Sequence, residues 1–154
     1  MLLLLLACSG PSKVDPCPMK PEIEGQIKAT IDGEVWAAIT QWNAAGSGIQ
    51  LTSTSLGGYR LTLVAQVDDE ERTAEESLEA LPATFILGGS GGSAAVTPDQ
   101  GESSSTSNHG SGSLSITSQS EDTLQGCFSF TAGTSSGAEV VVEDGTFWST
   151  PLGL

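Results

Sequence analysis

The chain has 154 residues, of which five are Lys or Arg and nineteen are Asp or Glu, for a formal net charge of −14. This length suffices for one domain with a single hydrophobic core. A protein so poor in cations cannot neutralise a row of phosphates, which argues against nucleic acid and against anionic lipid headgroups as partners. We therefore expect one acidic domain.

The chain begins with an apolar run that ends at a cysteine. The run MLLLLLA is too short to cross a bilayer, since a spanning helix needs roughly 20 apolar residues, but it fits the hydrophobic part of a signal peptide. Leu5-Leu6-Ala7-Cys8 resembles a bacterial lipobox, in which the cysteine receives a diacylglycerol and becomes the first residue of the mature chain. The resemblance predicts a lipoprotein signal peptide over residues 1–8, cleaved before Cys8. A chance cysteine behind a secretion signal is the alternative.

A lipid on Cys8 would determine where the protein is located. One acyl chain anchors a protein only marginally, whereas two or three hold it on a membrane, so we expect a membrane-anchored protein. Ser9 follows the cysteine, and by resemblance to the sorting rule of Gram-negative lipoproteins a residue other than Asp favours the outer membrane. Either face of that membrane fits. No Lys or Arg precedes the apolar run, so we interpret the true start as lying upstream.

Two segments follow the predicted signal peptide. Residues 9–22 contain four prolines and almost nothing apolar, which is typical of a semi-extended tether. From residue 23 to 154, short stretches alternate apolar and polar residues between Gly, Asp and Ser clusters, which indicates one antiparallel β-domain. Across a two-residue turn at Asp32-Gly33, Ala29 should face Trp36, so that Trp36 belongs to the core.

Less regular segments interrupt the predicted strands. Residues 68–81 contain helix formers and a capping box, which predicts a short helix, and residues 88–113 are mostly Gly, Ser, Thr and Asn, which predicts a long mobile loop with a brief strand at 94–97. A second Asp-Gly turn is expected at Asp144-Gly145. Eight or nine short strands, one short helix and a long Gly/Ser-rich loop predict an all-β fold, either an antiparallel β-sandwich or a small β-barrel.

Three motifs resemble a family of short bacterial lipoproteins known as a domain of unknown function. They are an early D-G-x-x-W-x-A, a late L-x-G-x-F-x-F and a closing x-G-x-F, which begin here at Asp32, Leu124 and Asp144. The resemblance covers roughly residues 26–149. It implies an all-β fold and an envelope location, and it brings no catalytic residues.

Two cysteines remain once Cys8 carries lipid. Cys127 alternates with Phe128 and Phe130, so it points away from the core if the phenylalanines point inward. An exported protein seldom keeps an exposed thiol free, and an even pair suggests a disulfide between Cys17 and Cys127. Two free thiols or a bond between molecules are the alternatives.

Catalytic and metal-binding patterns are weak in this sequence. GGSGG at 88–92 formally fits G-x-S-x-G, but that motif works on a strand-to-helix turn and no helix is predicted after it. His109, the one histidine, lies in the predicted loop and has no second ligand for zinc. Acidic clusters at 68–71, 121–122 and 143–144 could offer oxygens to calcium but lack a fixed spacing. We expect no catalytic residue, no metal and no cofactor.

Three aromatic residues could form a binding surface. Trp42, Tyr59 and Trp148 could stack on sugar rings, and Trp148 neighbours Phe147, so one of these two should face away from the core. The sequence therefore predicts a membrane-anchored envelope lipoprotein, monomeric, with a non-catalytic structural or binding β-domain. A carbohydrate- or peptide-binding module that uses these aromatics and the 88–113 loop is one alternative, with a glycan or protein as partner. An unrecognised hydrolase is the other.

Overall fold

A computed structural model describes residues 15–45, 48–54, 58–66, 78, 81–89 and 91–152. Nine strands account for most of them. Their bounds are β1 Gln26–Ile31, β2 Glu34–Ala45, β3 Gly48–Thr54, β4 Tyr59–Gln66, β5 Ala83–Leu87, β6 Gly92–Pro98, β7 Ser104–Ser120, β8 Thr123–Gly133 and β9 Glu139–Pro151. The fold is therefore all-β, as the alternating pattern predicts.

Eight of the strands close into an antiparallel barrel. Their order around the wall is β7-β6-β4-β3-β2-β1-β9-β8, and pairing of β8 with β7 completes the ring. β5 is the extra strand and pairs with the second half of β7. Next to the start of β1 at Gln26, β2 meets β9 directly in a short parallel contact. Of the two architectures that the sequence allows, the structure is a barrel and not a sandwich.

The first hairpin shows how the sequence determines the register. Asp32 and Gly33 both have positive φ, as a two-residue turn of this kind requires, and Ala29 pairs with Trp36 as predicted. Inward residues of β1 and β2 then point into the barrel, where an eight-stranded interior is just wide enough to be filled by side chains. Trp36 is buried there, together with Phe128, Phe130 and Phe147.

Glycines in β8 and β9 make room for these phenylalanines. A Cβ on Gly126 would lie 2.6 Å from the ring of Phe147, and a Cβ on Gly145 would lie 2.5 Å from the ring of Phe128. The predicted turn at Asp144-Gly145 is instead part of β9, where Asp144 has a φ of 52° and the register shifts against both neighbouring strands. This bulge replaces the turn because β9 remains paired on both sides of it.

The structure differs from the sequence prediction between residues 88 and 113. Instead of a mobile loop, this stretch contains all of β6 and more than half of β7, the longest strand. Its small polar residues are ordered by the wall itself. Ser104 and Thr106 are buried, and the Thr106 hydroxyl accepts a 3.0 Å hydrogen bond from the backbone N–H of Ala94. Backbone pairing and buried hydroxyl groups replace the apolar contacts that the composition lacks.

Two predictions fall largely outside the described residues. The predicted helix over 68–81 is described only at Leu78, which is helical and buried, and at Leu81. The predicted signal peptide and Cys8 lie wholly outside the described residues.

Candidate functional site

Residues 15–25, which we call the strap, run across the outside of the barrel. Eight of these residues belong to the predicted tether. Cys17 is bonded to Cys127 of β8, with 5.6 Å between the Cα atoms, and only 4% of Cys17 is exposed. Its backbone N–H donates a 2.9 Å hydrogen bond to the Asp15 carboxylate, which also pairs with Lys20. The predicted Cys17–Cys127 pair is thus present, and it joins the strap to the wall.

From the disulfide, the strap crosses β9 and β1 toward β2. Met19 and Glu22 border a small cavity with Lys28 of β1 and Thr146 of β9. Beyond them, Ile23 borders an open groove of about 320 Å³ with Ala37, Ala38 and Ile39 of β2. The strap ends where the backbone N–H of Gly25 donates to the Trp148 carbonyl, and β1 begins. The strap therefore lies over the outer faces of β9, β1 and β2.

A second cavity lies between the strap and β8. Its volume is about 150 Å³, and its polar lining comes from Ser113, Ser115, Ser129 and Asp144. The disulfide, Pro16, Pro18, Met19 and Phe128 supply its other sides. The Ser115 hydroxyl forms a 2.8 Å hydrogen bond with the Thr84 hydroxyl, so one of the hydroxyl groups that line the cavity already has a hydrogen-bond partner.

The three predicted binding aromatics do not form one surface. Trp42 of β2 pairs with Leu51 of β3, which in turn pairs with Leu63 of β4. Tyr59 lies four residues before Leu63 in β4, which is about 13 Å along the strand. Trp148 is on the outer face of β9, because its neighbours Phe147 and Ser149 are both fully buried. The structure therefore brings Trp42 and Trp148 to one end of the barrel and leaves Tyr59 toward the other.

Both of these indoles are held by the turn between β7 and β8. The Trp42 N–H donates a 2.7 Å hydrogen bond to the carbonyl of Asp122, and the Trp148 N–H donates a 3.1 Å bond to the hydroxyl of Thr123. Glu121 and Asp122 both have positive φ in this two-residue turn. The indole N–H groups thus stabilise the barrel end, and each ring remains half-buried.

The titratable side chains of the described residues form no acid, base and nucleophile constellation. His109 is exposed, and its Nε2 lies 3.5 Å from the carboxylate of Glu139. At the same end of the barrel, hydrogen bonds from the Ser135 and Ser136 side chains lower the pKa of Glu102 from its ordinary value of 4.5. The first contact joins β7 to β9, so that His109 lies in a strand and not in the predicted loop, and the second joins two surface loops; neither borders any of the three cavities described above.

Metal and membrane-spanning features can be assessed only for the described part of the chain. Within it, no group of three or more His, Cys, Asp or Glu side chains could hold a metal ion. No helix in that part is long and apolar enough to cross a membrane. Ser90 of the GGSGG sequence is outside the described residues, and Gly88, Gly89, Gly91 and Gly92 lie where the chain turns from β5 into β6.

Sequence reasoning missed a set of exposed apolar side chains on β2. Val35, Ala37 and Ile39 alternate with the inward residues and point outward, with 74% of Val35 and 59% of Ile39 exposed. Their signal is present in the sequence, because VWAAI is apolar at every position, on both faces of the predicted strand.

The profile of one protein family, a domain of unknown function termed DUF6252, matches residues 24–151. The match covers all nine strands and leaves out most of the strap. The chain shows no significant similarity to curated proteins or to solved structures.

Proposed function

The chain belongs to the DUF6252 family, and from this premise we propose that it is an exported lipoprotein of the bacterial envelope whose barrel has a non-catalytic structural or binding role. In this proposal a lipid on Cys8 anchors the protein in the outer membrane, and the strap connects the anchor to the barrel.

The observation that carries the proposal is the Cys17–Cys127 disulfide. Disulfides persist in exported proteins and are rare in the cytosol, where thiols are kept reduced. The bond lies nine residues after Cys8, so its presence supports export by the same leader that the lipobox-like sequence indicates. Because the strap is packed on the wall, the disulfide also makes residues 15–22 of the predicted tether part of the domain.

A non-catalytic role is supported by the surroundings of the candidate reactive groups. Nucleophilic catalysis needs a base within hydrogen-bond reach of the nucleophile. The one histidine, His109, is exposed and lies beside the carboxylate of Glu139. Cys17 and Cys127 form a disulfide with each other, so neither has a free thiol to act as a nucleophile. Activity-based hydrolase probes should leave the purified protein unlabelled. A labelled protein that loses its label in a His109→Ala variant would contradict the non-catalytic role.

The anchor is tested by expressing the full chain with a complete signal peptide in a Gram-negative host. Cys8→Ser should abolish palmitate labelling and release the protein from the membrane fraction. Ser9→Asp is the matched control, because it changes the neighbouring residue and keeps the lipidated cysteine. It should retain palmitate and move the protein from the outer to the inner membrane. Membrane retention of Cys8→Ser without palmitate would refute the proposal.

A glycan- or peptide-binding role is a second candidate, favoured by the two half-buried indoles at one end of the barrel. Its test is a glycan array and a peptide array with Trp148→Ala and Trp42→Ala, and with Tyr59→Ala as the control distant from that end. Binding that depends on either tryptophan would support this candidate. Binding that none of the three variants changes, or no binding at all, would remove it.

A further inference from the structure

Exposed apolar side chains are concentrated on one wall of the barrel. Seven large apolar residues are exposed in the described part of the chain, and five of them lie on the strap or on the outer faces of β2 and β9. These five are Met19, Ile23, Val35, Ile39 and Val141. The other two are Ile86 on β5 and Leu152 at the end of the described chain. We call the strap together with the outer faces of β9, β1 and β2 the strap wall.

Strand register places the disulfide level with the exposed apolar side chains of β2. Cys127 pairs with Thr146, Thr146 with Lys28, and Lys28 with Ala37. Three interstrand steps of roughly 4.8 Å separate the ends of this row, so Ala37 lies about 14 Å from the disulfide along the wall. Val35 and Ile39 flank Ala37 on the same face of β2.

The disulfide also shortens the connection to the predicted lipid anchor. Cys17 is nine positions after Cys8, and a fully extended chain of that length spans at most about 30 Å. Without the bond, the first fixed point would be the start of β1 at Gln26, eighteen residues from Cys8 and about 60 Å at full extension. The anchor thus lies within about 30 Å of Cys17, while Ala37, between the exposed Val35 and Ile39, lies about 14 Å from that point.

From this geometry we propose that the strap wall lies against the membrane that carries the Cys8 lipid, with Ile23, Val35 and Ile39 in contact with the bilayer surface. The inference rests on the proposed lipid anchor. A contiguous exposed apolar patch marks a protein or membrane contact, and here the short connection brings the membrane within reach of the patch. Side chains of this kind bury in the boundary between headgroups and acyl chains.

The charges of the strap wall favour an apolar contact over an electrostatic one. Lys20 is already paired with Asp15, and Lys28 shares the wall with the exposed carboxylates of Glu22 and Glu24. The wall therefore has no excess of cations that would select anionic lipids. Because exposed carboxylates outnumber cations on this wall, added phosphatidylglycerol should not strengthen contact with the bilayer relative to phosphatidylcholine vesicles, and added salt should not weaken it.

Two nearly identical side chains give a matched test. Ile39 is 59% exposed on the strap wall, and Ile86 is 61% exposed on β5, which pairs with β7 on the opposite side of β8 from β9, β1 and β2. Ile39→Cys and Ile86→Cys are prepared in the full lipidated protein with the disulfide intact, labelled with the fluorophore NBD and reconstituted in phosphatidylcholine vesicles. Val35→Cys provides a second strap-wall position if Ile39→Cys does not fold. Quenching by nitroxide-labelled lipid is measured for each.

The proposal predicts a blue-shifted emission at position 39 and quenching several-fold stronger than at position 86. Protein that floats with the vesicles but is quenched equally weakly at both positions overturns the docking and leaves the lipid anchor intact. A blue shift at position 39 without quenching by lipid shows that protein covers the wall, such as a second copy, and overturns the membrane as its partner. Protein that does not float refutes the anchor and the docking with it.

Discussion

Removal of the Cys17–Cys127 disulfide should destabilise the barrel substantially. The bond joins residues that are 110 positions apart, so it closes most of the chain into one loop. In the chain-entropy account, a closed loop of this length stabilises the folded state by about 4.8 kcal/mol at 25 °C, as an upper figure, because the unfolded chain loses conformational freedom. The Cys17→Ser/Cys127→Ser variant should therefore lose up to this amount of unfolding free energy.

Urea denaturation followed by far-UV circular dichroism measures this loss. For an m value of about 2 kcal/mol/M, the midpoint should fall by up to about 2.4 M. Cys8→Ser is the matched control, because it removes one cysteine and leaves the disulfide in place. Its urea midpoint should equal that of the parent chain when the parent is also produced without the lipid. A midpoint shift below about 0.3 M, in a parent protein whose disulfide is verified by mass spectrometry, would refute the reasoning.

Two further predictions concern the wall, and a third concerns a contact between surface loops. Gly126→Ala puts a methyl group against the backbone oxygen of Ser115 and the ring of Phe147 and should cost about 1–3 kcal/mol in thermal or urea unfolding. Gly89→Ala should be neutral, because no atom lies within 4 Å of the added Cβ. Thr106→Val leaves a buried backbone N–H without its acceptor and should cost about 1–3 kcal/mol; no loss would contradict an ordered β6–β7 pair. Ser135→Ala should raise the pKa of Glu102 toward 4.5 in an NMR titration, and an unchanged pKa would contradict the hydrogen bonds.

The pH dependence of the Glu102 contact follows from the direction of its pKa. Since folding lowers this pKa below 4.5, the carboxylate bonds to the serines stabilise the folded state above that pH. The contribution is lost as the pH falls through the folded-state pKa. Glu102→Gln should therefore reduce the change in stability between pH 6 and pH 3, as measured by thermal unfolding.

Local patterns in the sequence predict the elements that depend on near neighbours. The Asp32-Gly33 turn sets the register of the first hairpin, and alternation then places Trp36 in the core and Cys127 on the outer face. Closure of the wall depends instead on pairing between β1 and the distant β9, which period-two alternation does not encode. A sandwich and a barrel have the same pattern along each strand.

Composition misleads where long-range pairing replaces apolar burial. Residues 88–113 have too few apolar side chains to order themselves, yet Ser104 and Thr106 are buried because strands on both sides of β7 provide hydrogen bonds. The Asp144-Gly145 pair is typical of a turn, but here the absence of a side chain at Gly145 leaves space for the ring of Phe128. The candidate site shows the same limit, since the cysteine pair was predictable and the course of the strap over β9, β1 and β2 was not.

The most direct test of the account is peptide mapping by mass spectrometry, without reduction, of the full protein purified from a bacterial envelope. We expect an N-terminal peptide that begins at Cys8 with a diacylglycerol and an acyl chain, and a linked pair of peptides that contain Cys17 and Cys127. A mature chain with an unmodified Cys8, together with free thiols at the other two cysteines, would contradict it.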